Sequence, residues 1–312
     1  MRKPVYIILF TALLFSFISC GKSMSDDDYV DYVVSNYKVN ADKIKNAAPY
    51  TSGPVDFEIT ENIDPNRAAE IRTYFKENVD LDLDALKASE KTTWEKAMEL
   101  AIFVAKNIPH DNPKNPPEKR NAISLWEYAK KVPNGFNCRF HSILLSELLL
   151  SIDIKNRFIT CIPEDSTDTD CHVVNIVWLP ELEKWAMLDS DMTEYVTDSE
   201  GNLLSLEEMR NCILEDKAFK VNVFKGFEDS WVNTDWGLEY MQAYWVKNLY
   251  WFAAYTLYSF DLEYDEELRS TYLCLAPPGY DCSLTYENDK VTTNAQAFWG
   301  ESPLIDTKPI SR

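Results

Sequence analysis

Apolar residues in the first half of the chain recur at steps of three and four, which is the spacing of an amphipathic helix. The clearest case contains Trp94, Met98 and Ala101, and it stops where a proline-rich loop begins. Ser124 is well placed to cap a shorter helix further on. The helical segments predicted in this way span 26–48, 67–78, 92–108 and 124–131.

The segment 138–152 has a different character, because it is apolar on nearly every side. A helix of that kind is buried on most of its surface and occupies the centre of a domain. Cys138 stands in its first turn. We therefore predict a central helix that begins with a cysteine.

The period then changes to the short, β-branched and aromatic runs of strands. The three predicted strands span 156–162, 172–179 and 184–189. A connection of four residues joins the last two, which indicates antiparallel pairing. Ser205 and Glu208 form a capping box that predicts a helix over 205–216. A buried helix followed by an antiparallel sheet predicts an α+β fold.

The remainder, 217–312, is rich in aromatic residues, and its pattern supports a helix only to about residue 248. No glycine–serine or proline-rich linker precedes it, and domain boundaries normally fall in such linkers. We therefore expect a C-terminal extension packed on the core. The full predicted organisation is a leader at 1–19, an acidic tether at 20–30, a helical region at 31–89, a core at 90–216 and the extension at 217–312.

Composition narrows the classes of function. The chain is 46% hydrophobic and 13% aromatic, so it can bury a large core. Its net charge of −20 would repel phosphate backbones, which makes nucleic acid an unsuitable partner. The seven cysteines include no Cys-x-x-Cys pair for a zinc ribbon. The acidic segment 164–170 lacks the EF-hand pattern, so we expect a solvated loop, no metal and no cofactor.

The N-terminus has the layout of a secretory signal, with Arg2 and Lys3 before an apolar run that is too short to span a membrane. The run ends in "FISC", which resembles the lipobox of bacterial lipoproteins, and the tether that follows resembles the export tag of Bacteroidetes surface lipoproteins. We expect lipidation at Cys20, with an ordinary signal peptide as the alternative. The expected location is the cell envelope, as an outer membrane lipoprotein in the periplasm or on the surface, touching the membrane only through its lipid.

Cys138 lies where helix amides and the helix dipole favour a thiolate, and a thiolate nucleophile needs a base and an orienting carboxylate. Of the three histidines, His110 lies in the proline-rich loop, a poor position for a fixed base, and His141 has no evident carboxylate partner. His172 opens the second predicted strand and Asp189 ends the third. Antiparallel pairing of these strands brings Asp189 beside His172.

This order resembles the transglutaminase-like superfamily, a relative of the papain-type cysteine peptidases, over about 90–216. The resemblance implies a buried cysteine helix packed on an antiparallel sheet. It also implies that Cys138 is the nucleophile, His172 the general base and acid, and Asp189 its orienter. The backbone N–H of Cys138 would form part of an oxyanion hole. The family's side-chain donor lies upstream of the cysteine, and the sequence does not rank the three candidates, Trp126, Asn134 and Asn137.

Attack of the thiolate on an amide carbonyl gives a thioester, with a peptide or protein amide as the substrate. Resolution by water makes a peptidase or amidohydrolase, which we favour outside the cell, and resolution by an amine makes a transglutaminase. The alternative is a non-catalytic surface lipoprotein that binds peptides or glycans, with the aromatic C-terminal part as its platform. The sequence does not indicate an oligomeric state.

Overall fold

The structure is a computed structural model. It describes residues 26–52, 63–113, 117–131, 135–256, 272–282 and 290–300, together with 59, 115 and 258. The predicted leader, Cys20 and Asn134 all lie outside the described residues. Among the helices that the structure describes, none combines the length and the apolar character needed to cross a membrane.

In the part of the chain that the structure describes, six helices precede the cysteine, and they confirm the helical first half. They are α1 (Asp26–Ser35), α2 (Tyr37–Asn46), α3 (Pro65–Val79), α4 (Leu83–Ala88), α5 (Thr93–Asn107) and α6 (Ala122–Lys131). A capping box of Thr92 and Glu95 begins α5. The predicted cap of α6 was wrong: the side-chain oxygen of Asn121 accepts a hydrogen bond from Ser124 N at 2.9 Å, so Asn121 is the cap and Ser124 lies inside the helix.

Helix α7 (Cys138–Ser151) is the central helix that the apolar run predicts. Every residue from Phe140 to its end is buried. It packs on α3, α5 and α6 on one side and on the sheet strands β1 and β2, defined below, on the other. Because it is surrounded in this way, its first residue is held in a rigid frame.

A mixed sheet of six strands forms the middle layer, in the order β3-β2-β1-β6-β7-β8. Its strands are β1 (Asn156–Ile162), β2 (His172–Leu179), β3 (Lys184–Leu188), β6 (Trp251–Tyr255), β7 (Tyr272–Leu275) and β8 (Lys290–Thr292). Neighbours are antiparallel except for the parallel pair β7 and β8. The first three strands agree with their predicted positions. A separate ribbon pairs β4 (Glu194–Thr197) with β5 (Lys220–Val223).

Alternating side chains of the sheet reach two different cores, as the period of two in a strand requires. Val173 and Val177 pack with α3–α7 on one face. Val174 and Ile176 pack on the other face with α1, α2 and two helices of the second half of the chain. Those two helices are α8 (Leu206–Leu214) and α9 (Asp235–Asn248), and a short α10 (Ala295–Trp299) follows near the end. The result is an α+β fold with helices on both faces of the sheet.

The segment after 217 is built into this sheet. Strand β6 pairs with β1, so that Phe252 lies opposite Cys161. Arg157 Nη1 donates to Phe298 O and Trp185 Nε1 donates to Trp299 O, both at 2.7 Å. The sequence predicted helix from about residue 217 to about residue 248. That prediction was wrong for Lys220–Val223, which form strand β5, and right for α9, which ends at Asn248.

We predict that truncation after Glu215 gives an insoluble or inactive product. The truncation removes β6, so that β1 becomes an edge strand with unpaired backbone groups. Exposed edges of this kind promote aggregation. The measurement is soluble yield and size-exclusion chromatography beside a matched control that ends at Gly300 and keeps every contact described above. A soluble, monodisperse and active fragment ending at Glu215 would show that the extension is an independent module.

Candidate active site

Cys138 is the first residue of α7, where backbone amides have no acceptor within the helix. The side-chain oxygen of Asn137 accepts a hydrogen bond from Phe140 N at 3.2 Å, which determines where the helix begins. The Cys138 side chain is partly exposed. The N-terminal end of a helix favours an anion, so this is a suitable position for a nucleophilic thiolate.

His172 and Asp189 meet at one end of β2 and β3. His172 Nε2 lies 2.6 Å from Asp189 Oδ2, and both residues are about 1% exposed. The other carboxylate oxygen, Oδ1, accepts hydrogen bonds from Asp191 N at 2.8 Å and Met192 N at 3.1 Å. The backbone of the turn therefore aims the carboxylate at the imidazole.

Helix α9 covers the His172 ring. Tyr244 and Trp245 pack edge-on against it, with centroids 5.5 and 5.3 Å away. Burial lowers the pKa of His172, but the charge and hydrogen bond of Asp189, together with a hydrogen bond to Cys138, outweigh it and hold the pKa well above its usual value. The ring is therefore held protonated between a carboxylate and the thiol.

Asp191 brings a second carboxylate to the same place. Its two oxygens lie 2.9 and 3.0 Å from His110 Nδ1, and Oδ1 lies 3.4 Å from His141 Nε2. Burial raises the pKa of Asp191, but the neighbouring His141 and the hydrogen bond with His110 lower it by more, so that the pKa falls below its ordinary value. The expectation that His141 has no carboxylate partner was wrong, because Asp191 lies two residues beyond the predicted strand end.

The expectation that the proline-rich loop holds His110 poorly was also wrong. Phe136 N donates to Pro109 O at 2.9 Å, and Asp111 N donates to Phe136 O at 2.8 Å. Gly135 permits this contact, since a Cβ atom there would come 1.6 Å from Pro109 O. The loop is thus fastened to the segment that leads into Cys138.

Glu194 is a third buried acid of this region. Its Oε1 accepts a hydrogen bond from Trp245 Nε1 at 2.6 Å, and no hydrogen-bond partner is described for Oε2. Burial, followed by the nearby charge of Asp189, raises the pKa of Glu194 to about 8. Glu194 is therefore neutral at and below neutral pH, which limits the negative charge around Asp189.

The six cysteines that the structure describes are free thiols. Burial raises the pKa of Cys171 and of Cys282 to about 11, and it raises the pKa of Cys161 well above the ordinary value. The pKa of Cys212 is raised for the same reason. These four thiols are poor nucleophiles near neutral pH.

The side-chain candidates for the oxyanion hole occupy different environments. Trp126 packs among aromatic rings of the helical layer, 5.2 Å from Phe103 and 5.5 Å from Phe75 between centroids, and its indole nitrogen is buried. Asn137 adjoins Cys138, and the cap described above uses only its side-chain oxygen. Asn134 lies outside the described residues. The assignment of a side-chain donor stays a prediction.

The acidic loop before β2 is more tightly held than the expected solvated loop. Lys247 Nζ, on the buried face of α9, donates to Asp168 Oδ2 at 2.9 Å and to Asp170 O at 2.6 Å. Tyr244 OH donates to Asp170 Oδ1 at 3.1 Å. These contacts fasten the loop beside His172 and neutralise a buried lysine.

Residues 83–190 match the model of the transglutaminase-like superfamily. Together with the buried cysteine helix and the antiparallel strands, this match shows that the chain carries a transglutaminase-like core, as the order of Cys138, His172 and Asp189 indicated. Asp191 lies just beyond the matched segment.

Among solved structures, the chain is similar to a proposed cysteine protease from Cytophaga hutchinsonii, with 12% sequence identity and a TM-score of 0.28. That similarity covers 56% of this chain and 55% of the other, so the chain spans about half the length of that relative. No curated protein matches the chain.

Four residues around the pair of His172 and Asp189 were missed in the sequence: Asp191, Glu194, Tyr244 and Trp245. The run "DSD" at 189–191 is a signal for the first of them. The others are supplied by β4 and α9, which pack here only in the folded chain. Local patterns could not have found them.

We predict that Glu194→Gln flattens the pH dependence of stability. A folded pKa of about 8 lies above the ordinary value of 4.5, so the stability present at low pH is lost as the pH rises through this window. The slope approaches about 1.4 kcal/mol per pH unit between the two values.

The measurement is the free energy of unfolding in urea from about pH 5 to about pH 8. The wild type should lose stability relative to the variant over this range. Glu207, whose pKa is raised to about 7 by burial, is present in both proteins and cancels in the difference. If the free energy of unfolding changes with pH in the same way in both proteins, the raised pKa does not belong to Glu194.

Proposed function

We propose that this protein is a cysteine-dependent acyl-transfer enzyme that hydrolyses amide bonds in peptides or proteins. The observation that carries the proposal is the contact of Cys138, at the start of a buried helix, with a His172 ring that is bonded to Asp189. The family match supports the class of reaction. Hydrolysis, rather than transfer to an amine, follows from the abundance of water as an acceptor.

The first step uses the ion pair that this arrangement favours. His172 already holds the proton that Cys138 has given up, and the raised pKa of the ring keeps that proton in place. The thiolate sulfur then bonds to the carbonyl carbon, and the C=O π electrons move to oxygen. The backbone N–H of Cys138, which has no acceptor in the helix, would donate to this oxyanion.

Collapse of the intermediate breaks the C–N bond, and His172 gives its proton to the departing amine. A thioester on Cys138 is left. His172, now neutral, takes a proton from water while the water oxygen attacks the thioester carbonyl. The C–S bond then breaks, which releases a carboxylic acid and leaves the thiolate of Cys138 beside the protonated His172, as at the start.

Asp189 orients the ring and stabilises its charge through both halves of the reaction, without taking up the proton itself. Tyr244 and Trp245 exclude water from one side of the imidazole. Exclusion of water strengthens the electrostatic coupling between Asp189 and His172. The C-terminal extension therefore contributes to the chemistry through packing.

We predict that Cys138 is the thiol that iodoacetamide alkylates first near pH 6, because Cys138 alone is described in contact with a protonated His172, while burial raises the pKa of four other thiols. Mass spectrometry of peptides locates the label. Hydrolysis of p-nitrophenyl acetate should fall at least about 10³-fold in Cys138→Ser.

The matched control is Cys212→Ser in α8, which should keep both labelling and turnover. Earlier labelling of Cys161 or Cys212 would refute the assignment of the nucleophile. Hydrolysis is then separated from amine transfer by mass analysis of products from a peptide amide library with and without an added amine.

We also predict different consequences for two histidines. His172→Ala should abolish turnover and slow the labelling of Cys138, because it removes the base that is hydrogen-bonded to the thiol. His141→Ala should mainly destabilise the fold, by about 1–3 kcal/mol, since His141 is buried and burial lowers its pKa. The measurements are thermal unfolding and ester turnover at equal folded concentration. A folded but inactive His141→Ala beside an active His172→Ala would show that the triad is misassigned.

A further inference from the structure

One metal-binding atom from each of three residues lies in the same small cluster. The residues are Cys138, His172 and Asp191. The sulfur, one ring nitrogen and one carboxylate oxygen all lie within 4.8 Å of one another. In a tetrahedral zinc site, ligand atoms stand about 3.3–3.7 Å apart, given Zn–ligand bonds of 2.0–2.3 Å. Shifts on the order of 1 Å would therefore close the three ligands around an ion.

Acyl transfer does not account for Asp191. Asp189 already orients His172, and a further carboxylate beside a thiolate raises the energy of the nucleophile through repulsion. Asp191 is nevertheless held firmly, with its side chain 1% exposed and with His110 on one side and His141 on the other. A carboxylate that is held so firmly near the thiolate disfavours the nucleophile, so Asp191 calls for a role other than acyl transfer.

We propose that Cys138, His172 and Asp191 form a binding site for Zn²⁺, and that the bound ion blocks the nucleophile. A thiolate, an imidazole and a carboxylate are the donor types that zinc takes, and the thiolate selects against Mg²⁺ and Ca²⁺. The binding itself depends only on the geometry. Its consequence, reversible inhibition, rests on the proposed function.

The groups behind these ligands also fit the proposal. His172 bonds to the carboxylate of Asp189 through Nε2, so the ion would take the other ring nitrogen and displace its proton to solvent. Histidine ligands in metal sites usually make such a bond to a carboxylate, which fixes the ring. His110 holds Asp191 in the same manner. Two neighbouring carboxylates thus have separate tasks, since Asp189 orients a ligand and Asp191 is one.

The fourth position of the ion would face the opening through which Cys138 is partly exposed. It can be taken by water. The partial exposure of the thiol also provides a route by which the ion enters and a chelator removes it. We therefore expect exchangeable zinc, in contrast to the closed four-ligand sites that hold structural zinc.

The test uses the full chain after treatment with a chelator and reductant. Co²⁺ serves as the spectroscopic probe, because a cobalt–thiolate bond gives a charge-transfer absorption in the near ultraviolet. We expect one equivalent of Co²⁺ to produce this band and Zn²⁺ to displace it. Cys138→Ser should remove the band, and Asp191→Asn should weaken binding of both ions at least tenfold. Cys212→Ser should behave as the wild type.

Protection of the thiol gives a second readout. Zn²⁺ should slow alkylation of Cys138 at least tenfold in the wild type, EDTA should restore it, and Mg²⁺ should have no effect. Asp191→Asn should lose most of this protection. Its thermal unfolding shows that the variant is folded, and its own alkylation rate without metal is the reference for the protection.

Folded wild-type protein that gives no cobalt–thiolate band would overturn the proposal. A folded Asp191→Asn that binds both ions as tightly as the wild type would remove Asp191 from the site and overturn it too. These results are separable from the proposed function. Zinc binding by a protein without hydrolytic activity supports the metal site alone, whereas a hydrolase that binds no zinc refutes the metal site alone.

Discussion

The hydrogen bond between His172 and Asp189, made almost out of contact with water, is the interaction on which the rest of the structure depends. Removing a carboxylate from water costs several kcal/mol unless a partner and further hydrogen bonds compensate. Here the turn amides and the imidazole compensate together. The pair exists only in the observed register of β2 and β3, in which Asn175 lies opposite Leu188, because a slip of one residue would turn Asp189 to the other face.

The three buried acids of this region are tolerated for two different physical reasons. Asp189 is charged and bonded to His172, and Asp191 is charged and lies between His110 and His141. Glu194 is kept neutral by burial and by its neighbour. A short stretch of chain can therefore carry three buried acids without accumulating three uncompensated charges. This division also makes the region sensitive to pH, since each acid depends on the protonation state of a neighbour.

The C-terminal extension shares the interior with the transglutaminase-like core. Its strand β6 extends the sheet at β1, and its helix α9 places Tyr244 and Trp245 on the His172 ring. Trp245 also donates to Glu194. The aromatic residues that made this part of the sequence hard to interpret thus have a specific function in packing, and the environment of the histidine is built from both parts of the chain.

The cysteine helix and the first three strands were predictable, because burial of an element determines the spacing of its apolar residues along the sequence. The order of Cys138, His172 and Asp189 likewise indicated, without a structure, the superfamily whose model matches residues 83–190. The short strands after residue 250 were not predictable, because whether three to five residues form a strand depends on the strand that they pair with. The positions of Asp191, His110 and Glu194 were decided by tertiary structure alone. Each is defined by contacts between segments far apart in sequence, and the energy of a buried charge depends on those contacts and not on its sequence neighbours.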